Sequence, residues 1–205
     1  MAATHNDFIE LMPVPRGFLR FPLRVSPPVD FRAEALTTWP DVPGRLEYVA
    51  EELQYMPPCG VNQQKTVADL ARALGNWRAA NGRSFIVGTN EAGMKLGDDV
   101  RAADAAIWRS ADQPVDRAGV FYVAPVLACE VAGRYENESA LLSKAEWYLG
   151  HGTKTVWLLF PAELQVLIVT SGKVVRLKAG DTLDEPDELP GLTPVVDDLF
   201  SQLQD

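Results

Sequence analysis

The sequence predicts a mixed α/β fold, and three observations carry that prediction. Two segments, 62–80 and 138–149, place apolar residues at helical spacing, while shorter runs between them have the composition of strands. The run Thr155–Phe160, Thr-Val-Trp-Leu-Leu-Phe, is almost continuously apolar, as in a strand covered on both faces. With 205 residues, 47% of them hydrophobic, the chain can bury one sizeable core.

Taken in order, residues 1–44 carry Pro13, Pro15, Pro22, Pro27, Pro28, Pro40 and Pro43. Each proline fixes φ and removes a backbone donor, so nothing regular is expected there beyond a short helix near 31–38. This Pro-rich extension is expected to pack along a domain spanning 45–200, with 201–205 as a tail. Two apolar stretches around Ala50-Glu51-Glu52 read as a hairpin, ended by Pro57-Pro58, with Glu47 inside its first strand. Over 62–80 the helical face is Val67, Leu70, Ala71, Leu74 and Trp77, and Asn81-Gly82 stops it.

Residues 84–88 read as one short strand and 94–96 as another; Gly97-Asp98-Asp99 then turns into a strand at 100–108, followed by a polar loop at 109–119 containing Pro114. A second apolar run, 123–131, ends in Glu130-Val131. Asn137 stands at the N-cap of a helix that Gly150-His151-Gly152 closes, with Leu141, Ala145 and Tyr148 on its inner face. At 100° per residue Lys144 falls roughly 60° from the centre of that face, where a long side chain can reach inward. Residues 164–170 and Lys173–Leu177 form a hairpin over Ser171-Gly172, and 195–203 is a short amphipathic turn.

Net charge is −9, but Asp181, Asp184, Glu185, Asp187, Glu188, Asp197, Asp198 and Asp205 crowd into a final segment without Lys or Arg. The rest of the chain is close to neutral, so a polyanionic partner is permitted without being signalled by a basic stripe. No run is long and apolar enough to span a bilayer, and the N-terminus lacks the basic and apolar regions of a secretory signal; a cytoplasmic protein without membrane contact is expected. Cys59 and Cys129 read as free thiols. With only His5 and His151 present, a zinc cluster or a His-based dyad is not expected, and any metal would be held by oxygen.

Two carboxylates interrupt apolar strands: Asp104 in Ala102-Ala103-Asp104-Ala105-Ala106 and Glu130 in Leu127-Ala128-Cys129-Glu130-Val131. Burying a charge is expensive unless it is paired, hydrogen-bonded or bound to a metal. A hard cation such as Mg²⁺ takes one or two carboxylates plus phosphate and water, so Asp104 and Glu130 suffice, with the Val131 carbonyl as a further ligand. Alternation sets Val126, Ala128 and Glu130 on one face, and small Ala128 leaves room for a ligand. Lys144 would orient a water or offset developing charge, and Glu47 would support a second cation or the water. The competing reading pairs Asp104 with Arg101 or Arg109 and Glu130 with Lys144, with no metal.

In this order the segments resemble the large bacterial family of restriction-endonuclease-like proteins within the PD-(D/E)XK nuclease superfamily, over roughly 45–200. Arg45-Leu46-Glu47-Tyr48 through Tyr55-Met56-Pro57-Pro58 is similar to the family's opening hairpin, 100–107 to the strand bearing the "PD" aspartate, and Leu127-Ala128-Cys129-Glu130-Val131 to the strand with the metal-binding glutamate. Lys144-Ala145-Glu146-Trp147-Tyr148 resembles its Lys-x-x-x-Tyr helix, and Leu189-Pro190-Gly191-Leu192 its closing signature. The resemblance implies a curved mixed central sheet flanked by helices, a homodimer, and an Mg²⁺- or Mn²⁺-dependent phosphodiesterase acting on DNA. It makes Asp104 and Glu130 metal ligands, puts the catalytic lysine on the helix as Lys144, makes Glu47 accessory and has Tyr148 support Lys144. Ala103 stands where the motif has proline, Ala132 where E-x-K has lysine, Glu51 at the turn glycine, Gln63 or Gln64 where relatives have histidine, Gly133 for a serine and Phe160 for an aspartate. Those departures define the competing function, a non-catalytic relative that keeps the fold as a dimeric binding or regulatory module. A third reading is a metal-dependent hydrolase of a substrate smaller than DNA.

Overall fold

In the computed structural model, which describes residues 19–112 and 119–204, nine strands of the described residues join in one mixed sheet. His5, Pro13, Pro15 and Pro114 lie outside the described residues. The hairpin of β2 (Arg45–Val49) and β3 (Glu52–Met56) turns over Ala50-Glu51, where both residues hold positive φ, 52° and 64°. Gly and Asn favour that geometry, so the two side chains carry strain. Ala50 N–H donates to Asp99 Oδ1 at 2.9 Å and pins the turn. On the outer side of β3 the Pro-rich segment adds a strand, β1 (Leu23–Val25), with Leu23 opposite Tyr55. The short helix expected near 31–38 shrinks to a single tight turn, Leu36–Thr38, between prolines that block extension.

After α1 (Val61–Ala80) come β4 (Phe85–Leu96) and β5 (Asp99–Arg109), paired along their lengths. The two separate strands expected at 84–88 and 94–96 are therefore one. Thr89 faces Ala105 and Ala92 faces Ala103, so Asn90 and Glu91 together oppose Asp104 in a β-bulge, with φ of 57° and 63°. Turn-like residues inside a continuing strand gave the sequence its false break. The apolar run at 123–131 is strand only as β6 (Leu127–Val131). Next are α2 (Glu138–Gly150), whose Asn137 cap accepts from Ala140 N–H at 2.9 Å, β7 (Thr155–Phe160), β8 (Gln165–Thr170) and β9 (Lys173–Leu177).

The sheet order is β1-β3-β2-β5-β6-β7-β8-β9, with β4 also on β5. Of these pairs β6 and β7 alone run parallel, which requires a crossover, and α2 supplies it. Strand alternation divides the core in two. On one face Ile107, Leu127, Cys129, Val131, Trp157 and Leu159 pack under α1 and the closing segment, where Leu189, Leu192, Leu199 and Phe200 are buried. On the other Ala106, Ala128, Val156 and Leu158 pack under Leu141, Ala145 and Tyr148 of α2. The acidic closing segment is fastened to α1: Asp69 accepts from Ser201 Oγ at 3.0 Å and Gln202 N–H at 2.9 Å, and Trp77 Nε1 donates to Pro190 O at 2.9 Å. No helix of the described residues is long and apolar enough to cross a membrane, and Cys59 and Cys129 are free thiols.

Candidate active site

The β5–β6 ladder ends at Ala105 opposite Cys129; one more step of that register sets Asp104 opposite Glu130 on the α2 face. The bulge across from Asp104 aims its carboxylate, and the carboxylate takes a backbone donor that the ladder has left free: Val131 N–H donates to Asp104 Oδ2 at 2.7 Å. The other oxygen, Oδ1, meets the Arg45 guanidinium at 3.6 Å. Glu130, almost fully buried, accepts from Tyr148 Oη on Oε1 at 2.7 Å and from Lys144 Nζ on Oε2 at 2.7 Å. Lys144 and Tyr148 stand one turn apart on α2, which is why both reach the same carboxylate.

Lys144 Nζ also lies 3.3 Å from Glu47 Oε1, and Glu47 Oε2 lies 3.2 Å from Arg101. Glu47 reaches the cluster because Arg45, Glu47 and Val49 share the inward face of β2. Arg45 sits among three carboxylates, at 3.8 Å from Glu47, 3.6 Å from Asp104 and 3.6 Å from Glu136. From the opposite side of the sheet Gln63 Nε2 donates to the Val131 carbonyl at 3.0 Å. A Cβ at Gly133 would come within 2.8 Å of Gln63 Oε1, so glycine there leaves room for this bond.

Burial and then the neighbouring Glu130 push the Asp104 carboxyl up to about 7, against Arg45, Lys144 and the Val131 N–H. Burial acts the same way on Glu47, but Lys144, Arg45 and Arg101 overcome it and hold that carboxyl down at about 2. For Lys144, burial and Arg45 oppose the charge and Glu130, Glu47 and Glu136 outweigh them, so its pKa lies above the usual lysine value. The Tyr148 phenol is pushed up by burial and by Glu130, which keeps it a donor.

Above the cluster opens a cleft of about 470 Å³ lined by Arg45, Glu91, Asp104 and Glu136 on one side and by Gly60 and Gln63 of α1 on the other. Glu130, Lys144 and Glu47 do not line it and lie beneath Asp104. A second cleft, about 580 Å³, continues past Gly60, Gln63 and Gly133 toward Phe160 and Arg176.

The fold thus brings Asp104, Glu130, Lys144 and Glu47 into one cluster, with the Val131 carbonyl at its edge. It corrects the pairing expected for Asp104: its cation is Arg45, while Arg101 faces Glu47 and Arg109 lies at the far end of β5. The Glu130–Lys144 ion pair is present. Arg45 stood in the sequence only as a hairpin residue and Arg101 only as a partner for Asp104, and Glu136 drew no notice. The usable signal was the alternation of Arg45 and Glu47 with Val49, which marks two charges on the inward side of a strand.

The donor set fits a hard divalent cation. It is oxygen only, and Asp104 keeps a carboxylate oxygen toward the cleft whose charge the protein groups leave partly unmet. Among the described residues no group of three or more His, Cys, Asp and Glu is arranged to hold a metal.

A family model described as "Uma2: Putative restriction endonuclease" matches residues 33–199. Among solved structures, the crystal structure of a putative nuclease belonging to DUF820 from Anabaena variabilis matches with a TM-score of 0.72 at 18% identity, covering 82% of this chain and 96% of that one, a likeness of fold. The comparison with curated proteins finds no match.

Proposed function

The chain belongs to the Uma2 family of putative restriction endonucleases, and from that premise and the acidic cluster under its cleft we propose that it is an Mg²⁺- or Mn²⁺-dependent endonuclease hydrolysing DNA phosphodiesters. The observation that carries the reading is the placement of Asp104 opposite Glu130 at the end of the β5–β6 ladder, with Asp104 turned to the cleft. A divalent cation bound there by Asp104 and Glu130, with the Val131 carbonyl beside them, would polarise a phosphodiester and lower the pKa of a water.

The protein's own groups do the positioning. Val131 N–H and the bulge fix Asp104, while Tyr148 and Lys144 fix Glu130. Lys144, kept charged by the carboxylates around it, offsets negative charge as it develops on the oxygens around the phosphorus. Glu47 holds Lys144 and Arg101 in place from β2 and acts as the accessory carboxylate.

Cleavage of plasmid and single-stranded DNA with Mg²⁺ or Mn²⁺ tests this, comparing the wild type with Asp104→Ala, Glu130→Ala and Lys144→Ala. Cation-dependent cutting that all three changes abolish is expected. Absence of cutting together with absence of divalent-cation binding by calorimetry would overturn the reading in favour of a second one, a non-catalytic dimeric relative. What favours that second reading is the bonding of Glu130, whose two oxygens are satisfied by Lys144 and Tyr148 alone. Size-exclusion chromatography with light scattering reads its dimeric part directly.

A further inference from the structure

Arg45 is only 8% exposed, lines the cleft, and donates no hydrogen bond among the described residues. Its three carboxylate neighbours stand at 3.6 to 3.8 Å, beyond hydrogen-bond reach, so they hold the guanidinium in place by charge, and its buried Nε has no hydrogen-bond partner among the described residues. Across the same cleft is the amino end of α1, a helix of twenty residues whose N-cap is Gly60. No side chain caps it and no acidic residue lies in its first turn. The first intrahelical bond is Gln64 N–H to Gly60 O, and the N–H groups of Val61, Asn62 and Gln63 have no partner among the described residues. The amino end of α2, by contrast, is closed by Asn137 and carries Glu138. A guanidinium without a close hydrogen bond and an open helix amino end, lining one cleft, are complementary halves for a tetrahedral oxyanion.

We propose that Arg45 and the amino end of α1 together hold a backbone phosphate of the bound polynucleotide, next to the phosphate that is cut. The inference rests on the nuclease reading and deepens it, because it assigns a substrate contact outside the carboxylate cluster. Glu91, Asp104 and Glu136 line the same cleft, so the anion enters when a cation offsets them. The two clefts meet at Gly60 and Gln63, which gives the strand a continuous path past this point.

The test is binding, read by anisotropy of fluorescein-labelled single-stranded and duplex DNA with Ca²⁺ present, each phosphate being replaced in turn by an uncharged methylphosphonate. At one position the replacement should weaken binding to the wild type by roughly ten-fold. Arg45→Gln should bind the unmodified oligonucleotide weaker by a similar factor, lose nothing further at that position, and show a salt slope reduced by about one. Since Arg45→Gln also removes charge from among carboxylates, Gly60→Asp provides a variant that folds. At Gly60, φ is −73° and a Cβ meets nothing within 4 Å, so aspartate can cap the helix and fill the phosphate's place. It should raise Tm and weaken binding together. Methylphosphonate losses that are independent of Arg45, or a Gly60→Asp protein that gains stability and binds as before, would overturn the assignment. If the wild type cuts DNA and the coupling is absent, this inference fails alone; if it neither binds nor cuts, the nuclease reading fails with it.

Discussion

Replacing Lys144 by methionine keeps the length of the side chain and removes the cation between two buried carboxylates. Lys144 Nζ lies 2.7 Å from Glu130 and 3.3 Å from Glu47, and the residue is 8% exposed. At an effective dielectric of about 20 those contacts are worth about 6 and about 5 kcal/mol before the ammonium's own desolvation is subtracted. Desolvation removes several kcal/mol of that, and breaking buried pairs from one side costs about 3 to 5 kcal/mol net. For a chain of this length Tm should fall by roughly 6 to 20 °C. Thermal unfolding followed by circular dichroism measures it in the wild type, Lys144→Met, Glu130→Gln and the double variant. The double variant should be less unstable than the sum of the singles, because Glu130→Gln removes one of the charges that Lys144→Met strands. A Lys144→Met protein within about a degree of the wild type, or strict additivity, would show that the lysine is solvated and that Glu130 is held by something else.

Two further outcomes follow from the same geometry. Asp104 holds its proton up to about 7 in the fold against an ordinary 3.8, so the stabilisation from its protonated form is complete below 3.8 and is lost as pH rises through 7. Asp104→Asn mimics that form; in cation-free buffer it should gain on the wild type between those pH values by up to roughly 4 kcal/mol, read by urea unfolding, and a flat or reversed gap would contradict the burial argument. At the β2–β3 turn, Glu51 at φ 64° carries left-handed strain that glycine does not. Glu51→Gly should raise Tm by about 1 to 4 °C after glycine's added chain entropy is subtracted, and a lower Tm would count against strain at that turn.

Elements held together by local patterning were legible in the sequence. The apolar spacing of Leu70, Leu74 and Trp77 marked α1, Asn137 marked the start of α2, and alternation grouped Glu130 with Ala128, whose face α2 covers, although Val126, grouped with them, packs on the other face because the strand begins only at Leu127. Long-range pairing was not legible. Arg45 finds Asp104 and Glu136 at separations of more than fifty residues, and no local period records which distant carboxylate a cation will meet. β4 was broken in the reading because Asn90 and Glu91 have the chemistry of a turn while the backbone on either side stays paired to β5. Gln63 stood out only as a departure from a family pattern; its bond to Val131 depends on how α1 lies across the sheet.

Val131 is held through both of its peptide groups: its N–H, in the amide shared with Glu130, by the Asp104 carboxylate, and its carbonyl, in the amide shared with Ala132, by Gln63. One residue is therefore coupled to the ionisation of Asp104 through its N–H and to the seating of α1 through its carbonyl. Its ¹⁵N and proton resonances form a built-in spectroscopic gauge of the site, which would move with titration of Asp104 or with arrival of a cation without any probe having to be attached.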